Sequence, residues 1–161
     1  FIGYSYDGAD ASFELLARRI IGEIPTYLTI SEYDVSVKKN NKGKIISIAK
    51  AHILVDGNEV VCEGEGNGPV NALDNAIRKN VDKVGKYSKY LKDLKLVDYK
   101  VRILNTGTEA ITRVSIESTD SKGKNWFTIG VSTNIIEASF KALIDSLDYK
   151  LFKEQAPASK L

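Results

Sequence analysis

Apolar and polar positions alternate along six stretches of this chain and recur at helical spacing along three others. The first helical stretch is residues 7–22. There Phe13, Leu15, Leu16 and Ile20 supply an apolar face, Asp10 or Ser12 is placed to cap it, and Gly22 and then Pro25 stop it. Strands are predicted at 29–38, carrying Ile30, Tyr33, Val35 and Val37, and at 44–55 and 58–63. Asn40-Asn41-Lys42-Gly43 is a turn signal and Asp56-Gly57 a hairpin signal. A glycine-rich turn, Gly64-Glu65-Gly66-Asn67-Gly68-Pro69, leads into the second helical stretch. Pro69 suits its first turn, and Ala72, Leu73, Ala76, Ile77, Val81 and Val84 keep the spacing. Residues 85–95 are lysine-rich and read as a further helical stretch or a connector. The pattern then recurs, with strands at 99–104, 110–118 and 126–131. Turns fall at Asn105-Thr106-Gly107 and Ser121-Lys122-Gly123-Lys124. Thr133 or Asn134 caps a last helix carrying Ile136, Ala138, Ala142, Leu143 and Leu147.

The recurrence is an internal repeat. A gapless shift of 66 superposes Leu28 on Leu94, Tyr33 on Tyr99, Val35 on Val101, Ile45 on Ile111, Gly57 on Gly123, Gly64 on Gly130, Ala72 on Ala138 and Ala76 on Ala142. Composition alone gives roughly three identities over such a window. The matches fall on paired strand residues, on the glycine before each helix and on two small residues one helical turn apart. The expected architecture is α+β: two β-β-β-α units related by a pseudo-twofold axis and preceded by a short helical connector. The expected boundaries are 1–25 for the connector, 26–92 and 93–152 for the two repeats, and 153–161 for a flexible tail.

Composition changes little in this picture. The chain is 43% hydrophobic and 27% charged, a globular balance, and its formal net charge of +2 by itself implies neither a nucleic-acid nor a membrane partner. A single cysteine, Cys62, excludes an internal disulfide and suits a cytoplasmic setting. The chain has no methionine and opens FIGYSYDGAD, as expected of a piece of a longer polypeptide.

The glycine-rich turn is the most informative local chemistry. Gly64, Gly66 and Gly68 are expected to admit positive φ and close approach, and the helix behind them presents free N–H groups to an anion. The turn lacks the Gly-Lys-Ser/Thr of a phosphate-binding loop, and hairpin strands flank it. His52 and Cys62 lie in predicted strands without a nucleophile–base or metal-ligand spacing, so no catalytic residue and no metal site are expected. Glu63 and Glu65 read as solvated loop charges, and Trp126 and Phe127 as core and interface aromatics.

The stretch Glu63-Gly64-Glu65-Gly66-Asn67-Gly68-Pro69-Val70-Asn71-Ala72-Leu73 resembles the glycine segment of the regulatory (LeuA-type dimerisation) domain of 2-isopropylmalate synthases. Residues 126–139, WFTIGVSTNIIEAS, resemble the second-repeat segment of that domain in its citramalate synthase branch, as does the opening at residues 4–16, YSYDGADASFELL. The resemblance implies a regulatory homodimer that binds a branched-chain amino acid: isoleucine in citramalate synthases, leucine in 2-isopropylmalate synthases. It also implies a separate TIM barrel, outside this chain, that uses acetyl-CoA and a divalent metal. No cofactor is expected in the chain itself. Effector contacts are expected from Gly66, Asn67, Gly68, Pro69, Val70 and Ala72, with Asp98, Tyr99, Val101, Ile129 and Val131. A rival reading is an RNA-binding module, because residues 9–85 run helix, three strands, helix. The second helix then lacks the basic first turn that would meet phosphates, and the second repeat has no place.

Overall fold

The computed structural model describes residues 9–106 and 109–160, and the side chains of all of these except 105, 106 and 109. In chain order the elements are α1 (Asp10–Ile20), β1 (Thr29–Lys39), β2 (Ile45–Val55), β3 (Asn58–Gly66), α2 (Pro69–Lys79), α3 (Ser88–Leu91), β4 (Lys95–Thr106), β5 (Glu109–Thr119), β6 (Asn125–Ser132) and α4 (Ile135–Lys153). Two antiparallel sheets, β1-β2-β3 and β4-β5-β6, are each followed by a helix, as the repeat predicts. Asn105 and Thr106, expected in a turn, end β4, while Gly107 and the opening motif at residues 4–8 lie outside the described residues.

The chain forms two compact units, and they are drawn differently from the sequence boundaries. The first is Pro25–Lys92 with Ala156–Leu161, and the second is the chain through Ile24 with Asp93–Gln155. In the first unit, β2 buries Ser47, Ala49, Ala51, Ile53 and Val55 under α2, whose Val70, Ala72, Leu73, Ala76 and Ile77 are buried in return. The closing segment, read from sequence as a flexible tail, bonds into this unit. Ser159 N–H donates to the Thr26 carbonyl at 2.8 Å, and the buried Tyr87 hydroxyl donates to the Pro157 carbonyl at 2.9 Å. The lysine-rich connector is two 3-10 turns and the four-residue α3, and it serves to carry Tyr87 and Leu91 inward.

In the second unit α4 covers β5 and β6, and α1, read from sequence as a connector, packs on β6 and α4. Its packing face is Ala11, Ser12 and Leu15, whereas Phe13, Leu16 and Ile20 are exposed. Neither expected cap is used, because Ala9 occupies the N-cap and Ser12 is buried at a different task. Its hydroxyl accepts from Ile129 N–H at 2.9 Å, on the free edge of β6, and donates to Asp145 of α4 at 3.0 Å. Farther along, Arg19 reaches Asp145 and Asp148 at 2.8 and 2.9 Å. Near the other end of α4, the buried Lys150 gathers Asp120, Glu154 and Asp93 at 2.9, 3.2 and 3.4 Å. Burial opposes its charge, but the carboxylates prevail and raise its pKa.

Burial pushes Asp148 from 3.8 up to about 7, with Arg19 opposing and Asp145 adding to the rise. The folded value lies above the unfolded one. The stability this group contributes is therefore complete below about pH 4 and lost as pH rises towards 7. Asp148→Asn keeps an acceptor for Arg19 and removes the titration. It is expected to flatten the fall in Tm between pH 5 and 8 and to raise the stability at pH 8, by an amount on the order of 1–3 kcal/mol. Equal slopes for the two proteins in thermal melts would refute this assignment.

The repeat holds with one amendment. The bulges between Ile30 and Glu32 and between Leu96 and Asp98 coincide under the shift of 66, as do the β1/β4 and β3/β6 positions. The middle strands do not. Ala51 pairs with Tyr33 and Cys62, and Ile116 pairs with Tyr99 and Thr128, so β2 maps onto β5 with a shift of 65. The linkers absorb the difference. β1 and β2 are separated by residues 40–44 and β2 and β3 by 56–57; in the second repeat β4 ends at Thr106 and β5 begins at Glu109, while β5 and β6 are separated by residues 120–124. Ile45 and Ile111 are thus not equivalents, and Gly57 and Gly123 sit in turns of different length. A one-residue slip in a strand exchanges its faces, and only the shift of 65 places Thr112, Val114, Ile116 and Ser118 under α4.

Candidate functional site

The glycine segment is built differently from the expected turn. Gly64 and Gly66 lie within β3, and none of Gly64, Gly66 and Gly68 has positive φ. Their reason is space. A Cβ on Gly64 would overlap the backbone of Asn75 and Ala76, and one on Gly66 would overlap the Asn71 side chain and meet Ala72 N at 2.5 Å. A Cβ on Gly130 would overlap the Ala138 carbonyl oxygen and meet Ala142 N at 2.8 Å. The matched glycines and alanines of the repeat are therefore the places where helix and strand backbones touch. Gly68 is a different case: its φ of −162° is extended, and a Cβ there meets nothing within 4 Å.

Gly68 is the N-cap of α2 and offers no side chain to its first turn. Ala72 N–H donates to the Gly68 carbonyl at 2.9 Å and Pro69 has no N–H, which leaves the N–H groups of Val70 and Asn71 without an acceptor among the described residues. The Asn71 side chain points back and accepts from Asn67 N–H at 3.2 Å. Asn75 and Asn80 donate to the Glu65 and Glu63 carbonyls at 2.7 and 3.0 Å, pinning the outer edge of β3 to the helix. The corresponding place in the second repeat is closed. Asn134, 66 residues after Gly68, caps α4 by accepting from Ile136 and Glu137 N–H at 2.8 and 3.2 Å. The structure thus chooses Asn134 over Thr133 as cap.

Of the remaining expected contacts in the first unit, Gly66, Asn67, Gly68 and Pro69 border this helix end, while Val70 and Ala72 are turned into the core, with Ala72 0% exposed. The other five lie in the second unit, and they do not share one surface. Tyr99 and Val101 pair with Ile116 and Val114, on the α4 side of the sheet. Ile129 and Val131 pair with Ser115 and Arg113, on the opposite side, and are buried. Asp98 is exposed and its carboxylate accepts from Tyr99 N–H at 2.9 Å.

Sequence reasoning missed that α4 stops short of β4. Tyr99, Val101 and Ile103 form an apolar row on the helix side of the sheet that remains 43, 39 and 68% exposed. Their repeat counterparts on β1 are Tyr33, Val35 and Val37, of which Val37 is 64% exposed. The period-two alternation marked these residues as apolar, but only the width of the helix above them leaves them open. The solitary His52 faces Glu59 at 3.0 Å, and burial pushes the Cys62 thiol up, as for an inert core sulfur. No helix among the described residues is long and apolar enough to cross a membrane.

Two β-β-β-α repeats, the second with an apolar strand row that its own helix leaves open, define a repeat-built association module. The chain belongs to the LeuA allosteric (dimerisation) domain family, whose model matches residues 7–151. It is 44% identical to an (R)-citramalate synthase of Geobacter sulfurreducens and 45% identical to one of Aquifex aeolicus, in each case over 95% of this chain and 29% of the relative. A probable 2-isopropylmalate synthase of Methanopyrus kandleri is 26% identical over 80% of this chain and 24% of the relative. The chain therefore spans less than a third of the length of the curated relatives it matches.

Proposed function

We propose that this domain binds a branched-chain amino acid, isoleucine in preference to leucine, and feedback-regulates an acetyl-CoA-dependent (R)-citramalate synthase of which it is a part. Acetyl-CoA and a divalent metal then belong to a catalytic TIM barrel outside this chain, and the whole enzyme works as a cytoplasmic homodimer. The observation that carries the reading is the unequal pair of helix ends. Asn134 closes α4, whereas Gly68 leaves Val70 and Asn71 N–H open at α2, where a helix N-terminus favours a carboxylate. Gly66, Asn67, Gly68 and Pro69 border that end without obstructing it. The preference for isoleucine follows the relatives: those named citramalate synthase match more of this chain, and at higher identity, than the 2-isopropylmalate synthase of Methanopyrus kandleri.

A homodimer is supported by the open apolar row on β4 and by the exposed Val37 of β1. Sedimentation equilibrium at tens of micromolar, run with calorimetric titrations of isoleucine and leucine, tests both parts. The expected result is a dimer that binds isoleucine about tenfold or more tighter than leucine, a difference of about 1.4 kcal/mol. A monomer, or no heat with either amino acid, counts against the reading. Tighter binding of leucine would transfer it to a leucine-sensing 2-isopropylmalate synthase.

A further inference from the structure

A cavity of 370 Å³ opens in the second unit, where the β5–β6 turn meets the last turns of α4. That volume lies within the range of about 300–1,000 Å³ common to small-molecule sites. Its apolar wall is the rings of Trp126 of β6 and Tyr149 of α4, tilted by 38° with their centroids 5.9 Å apart. The Trp126 indole N–H donates to the Ser146 hydroxyl at 3.2 Å, which fixes the ring between sheet and helix. The charged side chains around the cavity are engaged, with one exception. Asp120 accepts from Lys150 at 2.9 Å and from the Lys122 and Lys124 backbone N–H groups at 2.9 and 3.2 Å. Glu154 accepts from Lys122 and Lys150 at 2.8 and 3.2 Å. Lys153 donates to Glu14 at 2.7 Å and lies over the Tyr149 ring. Glu117 of β5 is taken by the Asn125 amide at 3.0 Å. The exception is Lys124, whose ammonium makes no ion pair among the described residues. Its backbone holds the turn instead, the carbonyl accepting from Asp120 N–H at 3.3 Å and from the Thr119 hydroxyl at 2.8 Å.

We infer that this cavity binds a small aromatic monocarboxylate, separately from the amino-acid site proposed at α2. The carboxylate takes the Lys124 ammonium in a charge-assisted hydrogen bond. The ring of the ligand lies offset or edge-on against Trp126 and Tyr149, the arrangements that aromatic pairs prefer. The charge balance sets the class. A free amino acid brings an ammonium, and the carboxylates that would receive it are already held by lysines. A second negative charge on the ligand would face Asp120 and Glu154 with no further unpaired lysine on the cavity wall to meet it. The site belongs to the second repeat alone. Under the shift of 66 the places of Trp126 and Tyr149 fall to Val60 and Lys83, which offer no ring.

Trp126 is the one tryptophan of the chain, so its indole N–H gives a single reporter resonance in a proton–nitrogen correlation spectrum. Titration of the chain with indole-3-acetate is expected to shift that resonance saturably, with a Kd below about 1 mM. Indole-3-ethanol, which has the same ring and no charge, binds roughly tenfold more weakly, the share of one charge-assisted hydrogen bond. Lys124→Gln lowers the affinity for indole-3-acetate to that of indole-3-ethanol and leaves the latter unchanged. Lys124 is exposed and its side chain holds nothing in the turn, so this variant keeps the fold. The titration uses no isoleucine, so its outcome is separate from that of the α2 site. Three results overturn the inference: an indole resonance that does not move, equal affinity of the wild-type chain for the two indoles, or an affinity for indole-3-acetate that survives in Lys124→Gln.

Discussion

Gly130→Ala is expected to destabilise the domain by about 3 kcal/mol or more, because the added methyl would overlap the Ala138 carbonyl oxygen. The obstacle is backbone on both sides. The Gly130 strand backbone is held in register with Val114, and Ala138 lies in the first turns of α4, so neither can yield by a rotamer change. Relief requires α4 to lift from β6, which opens the core around Val114, Ile116 and Leu143. Gly64→Ala should cost a similar amount through Ala76 in the other repeat. Gly68→Ala is the control, since its Cβ meets nothing and its backbone is extended, and it should lie within about 1 kcal/mol of wild type. In thermal denaturation the first two should lose roughly 6–12 °C. If Gly130→Ala melts within 2 °C of wild type, on the order of 1 kcal/mol, the close helix–strand approach is not what holds this glycine.

Gly68→Asp is expected to leave the fold intact and reduce isoleucine binding by about 100-fold or more. The position is extended and open, and aspartate is a favoured N-cap, so stability should hold or rise by up to about 1 kcal/mol. The new carboxylate takes the Val70 and Asn71 N–H groups for itself and places a negative charge where the effector's carboxylate belongs. Gly68→Asn installs the cap that Asn134 supplies in the second repeat, without the charge, and should weaken binding less. Calorimetry on the folded variants decides the matter. Isoleucine affinity equal to wild type in Gly68→Asp would remove the N-terminus of α2 as the carboxylate site. In the full-length enzyme we propose, the same variant would stay active and lose its feedback inhibition, because inhibition needs a difference in effector affinity between two states.

The sequence directs attention to the glycine segment for a partly mistaken reason, and of the expected contacts only Gly66, Asn67, Gly68 and Pro69 border the α2 end. The run of glycines before Pro69 drew notice as a flexible, positive-φ turn. In the structure two of those glycines are strand residues held clear of α2, and only Gly68 belongs to the helix end. The distinction rests on how near α2 lies to β3, a distance that no local pattern carries. The register of the middle strands was also out of reach, because the gapless shift that revealed the repeat misassigned the middle strand by one residue.

The sequence by itself determined the elements and their order, the repeat, and the recurrence of small residues one helical turn apart in each repeat. These are local or periodic properties: alternation, helical spacing, turn residues and identity at a constant shift. Tertiary structure alone decided the register of the middle strands, because burial under the helix selects one face and the two linkers exchange lengths to permit it. It also decided that α1 joins the second unit through Ser12 and Arg19, and that residues 156–160 join the first through Ser159 and Pro157. Those contacts link residues about 70 to 130 positions apart, where hydrogen-bond partners are chosen by packing and leave no periodic trace in the chain.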